Sequence, residues 1–269
     1  MSHEDVDAPL LINELDRFGV AATLEVWDDE SVDWESYDVV VVRSTWGYTE
    51  KYPEFLAWAH ARSHLINPYD VIEYSSDKHY LGDLASQGIP VITTSYCEVS
   101  ECPEFPDVAF VVKPAIGAGS FDAVRFDADD VVAATQHVAY LHDSGRCAVI
   151  QPYVKSIDVN GERALIFFDG EFSHAMTKRA HLNVAAGDRD GDFRTRQMSR
   201  AEPEPDAVEF AKSIMTGRFE DLAYGRVDLV STPDGWQLME LELVEPALFL
   251  QYDDPSAARA ARAIAHRIP

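Results

Sequence analysis

RVDLVSTPDGWQLMELELVEP, residues 226–246, is the stretch around which the chain is organised. Alternation of apolar and polar positions predicts strands over residues 226–232 and 236–244, joined by Pro233-Asp234-Gly235 with glycine where a positive φ is needed. Side chains on a strand alternate between faces, so a three-residue loop sets Asp228 opposite Glu240 and Arg226 opposite Glu242 on one face. Val227, Leu229, Met239, Leu241 and Leu243 fall on the other face and mark it as packed. Carboxylates crowded in this way repel unless a cation lies between them. Oxygen-only ligands suit a hard divalent ion, so Asp228, Glu240 and Glu242 form a candidate Mg²⁺ site, whereas zinc calls for His or Cys. On this reading, removing the charge of Glu240 leaves the metal-free fold as stable or more so. The alternative is a solvated charged face with cross-strand Arg–Glu pairing.

A chain of 269 residues can bury a sizeable core and divide into two or three subdomains. No apolar run is long enough to span a membrane, and the polar, acidic first residues do not read as a secretory signal, so a cytoplasmic setting is expected. Cys97, Cys102 and Cys147 form no CxxC pair and read as reduced thiols. The formal charge of −25, spread along the chain, argues against a nucleic-acid partner. Only six of the 22 basic residues are lysine, and so acidic and lysine-poor a surface fits a halophilic protein kept soluble by charge repulsion in concentrated salt. Scarcity also makes Lys78 and Lys113 less ordinary as surface residues.

The first segment reads as a small α/β unit. An apolar stripe through Leu10, Leu11, Leu15 and Phe18 predicts a helix stopped by Gly19, followed by strands over residues 20–26 and 39–42 and a helix over 53–62. Four consecutive valines imply a strand buried on both faces, as in a parallel sheet. That run ends in Arg43-Ser44-Thr45-Trp46, a candidate pocket for a small anion beyond a strand's carboxyl end, unless Arg43 merely caps or pairs locally.

Farther on, Ser75-Ser76-Asp77-Lys78 predicts a helix start that places Lys78 in the first turn, where a phosphate is favoured. A strand over residues 109–112 leads into Lys113 and the small-residue stretch around Gly117, Gly119 and Ser120, whose backbone could approach a polyphosphate or simply make a turn. A strand over 124–126, a helix over 128–142 and a strand over 148–150 follow, the last running into Gln151-Pro152-Tyr153-Val154.

The order of these pieces resembles the ATP-grasp superfamily: a lysine at a helix start, VVKP, a small-residue loop, QPYV, GERALIFF, Lys178-Arg179, then RVD and ELE. Within it, VVRSTW, SDKHYL, FFDGEFSHA and MELELVEPALFL are most similar to the ligases that close O-ureido-serine to cycloserine. Glutathione synthetase and the ribosomal-protein glutamate ligases are similar at a greater distance.

The resemblance implies an α/β (α+β) ATP-grasp fold. A small Rossmann-like pre-ATP-grasp unit over residues 1–75 would precede two ATP-grasp subdomains, 76–150 and 151–269, that clamp the nucleotide. Relatives open with a strand before the first helix, and here that strand is not evident. ATP and two Mg²⁺ ions are the implied cofactors. Lys78 and Lys113 would meet the phosphates under a lid of Gly117, Gly119 and Ser120. Gln151, Tyr153 and Val154 would read adenine, with Glu162, or less directly Asp158, on the ribose. Arg226 with Lys178 or Arg179 would neutralise the transferred phosphoryl group, while Asp228, Glu240 and Glu242 hold metal. Asn is usual where Glu242 stands, so Glu242 could instead bind Arg226.

The implied activity is ATP-dependent ligation, in which a small-molecule carboxylate or amino-acid-like substrate becomes an acylphosphate and is attacked by an amine-type nucleophile, as in the cyclo-ligases. The rivals are a small-molecule kinase of the same fold and a nucleotide-binding regulatory module. Residues 185–192, with Arg194 and Arg196 behind them, read as a mobile loop. His174 is a candidate substrate contact or, alternatively, a satisfied structural histidine. The oligomeric state is left open, a homo-oligomer included.

Overall fold

The computed structural model describes residues 5–45, 47–179 and 197–269; Trp46 and the expected loop at 185–192, with Arg194 and Arg196, lie outside them. Helix α1 (Asp7–Arg17) buries Ala8, Leu11 and Leu15. Residues 20–26 do not form the expected strand. Leu24 and Val26 are 67% and 62% exposed, and no strand among the described residues offers them a ladder. Strand β1 (Val40–Val41) pairs in parallel with β2 (Leu65–Ile66). Its valine run is packed on both sides: Val40 and Val42 face Tyr48 and Phe55, while Val39 and Val41 face Leu11 and Ile66. Helices α2 (Tyr52–His60) and α3 (Tyr69–Ser76) complete this unit.

The helix expected to open at Ser75 is interrupted. α3 ends at Ser76 and α4 (Tyr80–Ser86) begins four residues later. Between them Asp77 bridges to Ile116 and the Lys78 N–H donates to Ala115 O (3.0 Å), which commits this backbone to a neighbouring chain rather than to a helix. Lys78 therefore precedes a helix and does not occupy its first turn. Strands β3 (Ser95–Cys97), β4 (Phe110–Pro114), β5 (Val124–Phe126) and β6 (Ala148–Pro152) form an antiparallel sheet in the order β3-β6-β4-β5. Helix α5 (Val131–Asp143) covers it, with Ala134, Val138 and Leu141 against Phe110, Val112 and Ile150.

A short helix α6 (Ile157–Asn160) leads to strands β7 (Glu162–Phe168), β8 (Glu171–Arg179) and β9 (Gln197–Ala201), helix α7 (Pro205–Met215), strands β10 (Tyr224–Thr232) and β11 (Gly235–Glu242), and helix α8 (Ser256–Ala265). The five strands make an antiparallel sheet ordered β11-β10-β7-β8-β9. One face packs Leu165, Phe167, Val227 and Leu241 against α4 and α7; the other packs Ala164, Ile166 and Met176 against α1 and α8.

The pairing of Asp228 with Glu240 and of Arg226 with Glu242 is present, reached by a different route from the one expected. The turn has two residues, because Thr232 pairs with Gly235, and a β-bulge between Asp228 and Leu229 restores the register. Leu229 then faces Leu238, so Met239 is the extra residue. Leu238 takes the core position expected of Met239, which packs instead beside Ile92, Ile157 and Val230.

β11 is an edge strand whose outward backbone groups are all the same engaged at successive positions. Leu238 exchanges hydrogen bonds with Pro90 O (2.8 Å) and the Ile92 N–H (3.1 Å). The Leu241 N–H donates to Tyr80 Oη (2.8 Å), Ser75 Oγ donates to Leu241 O (2.9 Å), and the Leu243 N–H donates to Ser75 Oγ (3.1 Å). Asn67, 1% exposed, donates to both Leu243 O and Tyr224 O (2.9 Å each) and accepts from the Ala223 N–H (3.1 Å). Truncating Asn67 to Ala strands three buried backbone groups at once, so the variant should lose on the order of 3 kcal/mol of stability. Denaturant unfolding measures this, and a loss under about 1 kcal/mol would show that water replaces the amide.

Candidate active site

Five strands and one helix junction bring eight charged side chains to a single place. Glu162 and Lys178 face each other across β7 and β8, Arg226 and Asp228 stand on β10, and Glu240 and Glu242 stand on β11. Lys78 enters from the α3–α4 junction and Lys113 from β4. The fully buried Asp228 receives Arg226 Nε on Oδ1 (2.9 Å), and on Oδ2 both Arg226 Nη2 (3.0 Å) and Lys178 Nζ (2.5 Å). Lys178 also contacts Glu162 (3.0 Å), Arg226 contacts Glu242 (2.7 Å), and Lys78 contacts Glu240 (3.1 Å) while donating to Gly117 O (2.8 Å). A Cβ at Gly117 would lie 2.8 Å from Pro114 Cγ, so glycine is what allows this close approach of the loop.

Charges alternate in this cluster: the cations that lie between the carboxylates are the protein's own Lys78, Lys178 and Arg226, so the mutual repulsion of the carboxylates is offset without a bound metal. Burial alone would raise the pKa of Glu240, yet Lys78, Lys113, Lys178 and Arg226 bring it well below the usual range. Burial opposes ionisation of Lys178 as well, and Asp228 and Glu162 outweigh it, raising its pKa. Lys113 is lowered, first by desolvation and then by Lys78 and Lys178, despite the pull of Glu240. Glu242 is raised by burial and by its neighbours Glu240 and Asp228, even with Arg226 against it. The alternative reading holds in part: Arg226 does pair with Glu242 across the strands, but the face is not a solvated one, since Arg226 is 6% and Lys178 5% exposed. Oxygen atoms of Asp228, Glu240 and Glu242 lie within 4.8 Å of one another, so this donor set fits a hard divalent ion.

Other expected site residues lie nearby or elsewhere. Arg179 is exposed on the opposite side of β8 from Lys178, as period-two alternation demands, and does not join the cluster. Gln151 is buried and donates to Thr94 Oγ1 (2.9 Å). The Tyr153 hydroxyl donates to Asp158, and Val154 packs near Ile92 and Val230. Gly119 and Ser120 take positive φ (63° and 64°) in the loop after β4. His174 is 4% exposed, with Nε2 at 3.0 Å from Leu248 O and Nδ1 at 2.9 Å from Ser173 Oγ, and burial lowers its pKa; it is a satisfied core histidine, not a substrate contact. Ser44 donates to Asp5, and Arg43 Nη2 lies 3.9 Å from Asp7 Oδ2, the local pairing kept open above, while Arg43 Nη1 and Thr45 Oγ1 are buried without a hydrogen-bond partner among the described residues.

Sequence reading passes over Glu245, which is 6% exposed and lines a pocket with Tyr48, Ser75, Ser76 and Glu242. It makes no hydrogen bond within the described residues, and burial, with Glu242 beside it, pushes its pKa up to about 8. A further acidic residue three positions after Glu242 and immediately before Pro246 is the signal that could have singled it out.

Known proteins resemble this chain in sequence and fold. Over 98% of its length the chain is 36% identical to the cycloserine biosynthesis protein DcsG of Streptomyces lavendulae, of which it covers 94%. The chain belongs to the DcsG family of ATP-grasp ligases. Residues 1–67 match the family described as the N-terminal domain of D-cycloserine synthetase DcsG. The crystal structure of D-cycloserine synthetase DcsG superposes with a TM-score of 0.86 at 33% identity, covering 98% of this chain and 95% of that one. D-alanine–D-alanine ligase from Bacillus anthracis complexed with ATP shares the fold at a TM-score of 0.61 and 15% identity, covering 99% and 94%. The DcsG-like chain is thus an ATP-dependent ligase with an ATP-grasp fold.

Glu240 and Glu245 should respond to charge removal with opposite signs. Because Glu240 titrates below its unfolded value, its ionised form contributes stability above about pH 4.5 that is lost as pH falls. Glu240→Gln should therefore lower the apo Tm at pH 7 to 8 by several °C, with the gap to wild type closing in acid. Glu245 titrates above its unfolded value, so stability present at low pH is lost as pH rises toward about 8. Glu245→Gln should raise the apo Tm by several °C at pH 8.5 and converge with wild type near pH 4.5. Calorimetry of both variants across pH checks the pair of signs.

Proposed function

We propose that the chain uses ATP to activate the carboxylate of a small amino-acid-like molecule for attack by a nucleophile carried on the same molecule, as in cycloserine formation. The observation that supports this is the pocket beside the charge cluster. Glu245, a buried carboxylate without a hydrogen-bond partner among the described residues, is complementary to a substrate ammonium group. Arg43 and Thr45, with buried unpaired donors, offer contacts for substrate oxygens.

On the nucleotide side, Lys78 and Lys113 would hold the phosphates, covered by Gly117, Gly119 and Ser120. Residues 151–154 would read adenine, and Glu162 or Asp158 the ribose. Magnesium, as two ions, would be held by Asp228, Glu240 and Glu242 and would offset charge on the phosphates. Asp228 can then release Lys178, leaving Lys178 and Arg226 to neutralise the oxygens of the phosphoryl group in transit. A substrate carboxylate oxygen bonds to the γ-phosphorus as ADP departs. The tethered nucleophile next attacks the acyl carbon, expelling phosphate, and proximity favours this closure over attack by water. The acidic, lysine-poor composition favours a salt-rich cytosol as the working medium.

Incubation with MgATP and a panel of amino acids that includes O-ureido-serine should release ADP and inorganic phosphate together with a cyclised product. Phosphate retained on the small molecule would identify a kinase, and absence of turnover with the whole panel would overturn the amino-acid reading. Glu240→Gln should reduce Mg²⁺-dependent turnover by about two orders of magnitude or more.

A further inference from the structure

One residue past Lys78 the chain presents a second group of potential ligands, different in chemistry from the carboxylates of the active site. His79 Nε2 lies 3.0 Å from Glu98 Oε1 and 3.9 Å from Cys147 Sγ, and the three ligand atoms fall within 4.8 Å of one another. They come from separate elements: His79 from the α3–α4 junction, Glu98 just after β3, and Cys147 just before β6.

The imidazole is held from behind. Its Nδ1 lies 2.6 Å from Asp77 Oδ1, the same oxygen that accepts the His79 backbone N–H (3.1 Å). Its ring stacks on Tyr96 (centroids 4.2 Å apart, planes 18° apart). Tyr96 is fixed in turn, donating to Lys78 O (3.0 Å) and accepting from the Gly82 N–H (3.1 Å). A carboxylate on one imidazole nitrogen, with the other directed at a thiol and a second carboxylate, is the arrangement by which proteins orient a metal-binding histidine.

We infer that His79, Glu98 and Cys147 form a transition-metal site selective for Zn²⁺-like ions, with Asp77 orienting the imidazole and one coordination position left for water. Mixed nitrogen, sulfur and oxygen ligands suit zinc and not magnesium. Zinc–ligand bonds of about 2.0–2.3 Å put tetrahedral ligand atoms roughly 3.3–3.7 Å apart. The separations of 3.0 and 3.9 Å bracket that range, so side-chain rotations suffice to close the shell. Binding exchanges the Cys147 thiol proton for the ion, with no change of oxidation state. The ion would also brace the backbone of Lys78, which is already tied through Ala115 to Cys147 (Lys78 N–H to Ala115 O 3.0 Å, Ala115 N–H to Cys147 O 2.9 Å).

Cobalt(II) tests this in untagged, full-length protein stripped of metal, because a cobalt–thiolate bond gives a near-ultraviolet charge-transfer band that carboxylate ligation does not. One equivalent of Co²⁺ should produce the band, Zn²⁺ should displace it, and Zn²⁺ should raise the Tm. Cys147→Ser should abolish the band, and Glu98→Gln, at an exposed position, should weaken Co²⁺ binding by about tenfold or more while the fold is kept. Glu240→Gln should leave the band intact, which separates this site from the carboxylate cluster. Co²⁺ binding without a thiolate band in folded wild-type protein, or a band that persists in Cys147→Ser or survives undiminished in Glu98→Gln, would overturn the inference.

Discussion

The constraint on which the rest of the structure depends is the satisfaction of one sheet edge. β11 carries two acidic residues of the candidate active site and, among the described residues, has on its outer side only the single bridge of Leu238 to Val91, so the rest of its backbone must find partners elsewhere. Ser75, Tyr80 and Asn67 supply them, and Asp7 extends the pattern by accepting the N–H groups of Leu248, Phe249 and Leu250. These four side chains come from the first 80 residues. The same hydrogen bonds therefore fix the first 80 residues against the β10–β11 hairpin and set the distance between the Glu245 pocket and the charge cluster.

Within that frame the cluster is a neutral lattice of alternating charges. Four carboxylates (Glu162, Asp228, Glu240, Glu242) face four cations (Lys78, Lys113, Lys178, Arg226), so every charge drawn from water has an opposite nearby. Under the function proposed above, such a lattice would accept a ligand that is itself both anionic and metal-bearing. Phosphates would compete for the lysines while a divalent ion would compete for the carboxylates, so each half of the incoming complex would release the protein groups that the other half needs. Lys178, bonded to both Glu162 and Asp228, is where that exchange would have most effect.

Much of this was legible in the residues because it is local. Alternation in 226–244 contains the pairing of Asp228 with Glu240 even though the turn is shorter than the one assumed, since the bulge at Met239 compensates. The Lys113 loop and the strand at 124–126 are likewise legible from apolar runs and small residues. What was not legible depends on distant parts of the chain. Residues 20–26 have strand propensity and no strand partner among the described residues, and the helix at Ser75 breaks because Asp77 and Lys78 bond to Ile116 and Ala115. Ser75, Tyr80 and Asn67 look like ordinary polar residues until the strand edge they cover is placed beside them. Glu245 differs again: its lack of a hydrogen-bond partner among the described residues is a property of the fold, and only its spacing after Glu242 is written in the chain.

Charge neutrality inside the site has a consequence for how ligands arrive. Three of the six lysines are committed to the cluster and cancelled there, so the net −25 belongs to the remainder of the molecule. A nucleotide diffusing inward meets a repulsive far field and feels attraction only at contact range. Screening shortens the reach of that field from about 10 Å at 0.1 M salt to about 3 Å at 1 M, while the buried pairs are much less affected. Capture of nucleotide should therefore quicken with ionic strength, the reverse of the behaviour of an enzyme that draws in its polyanionic substrate with a basic surface.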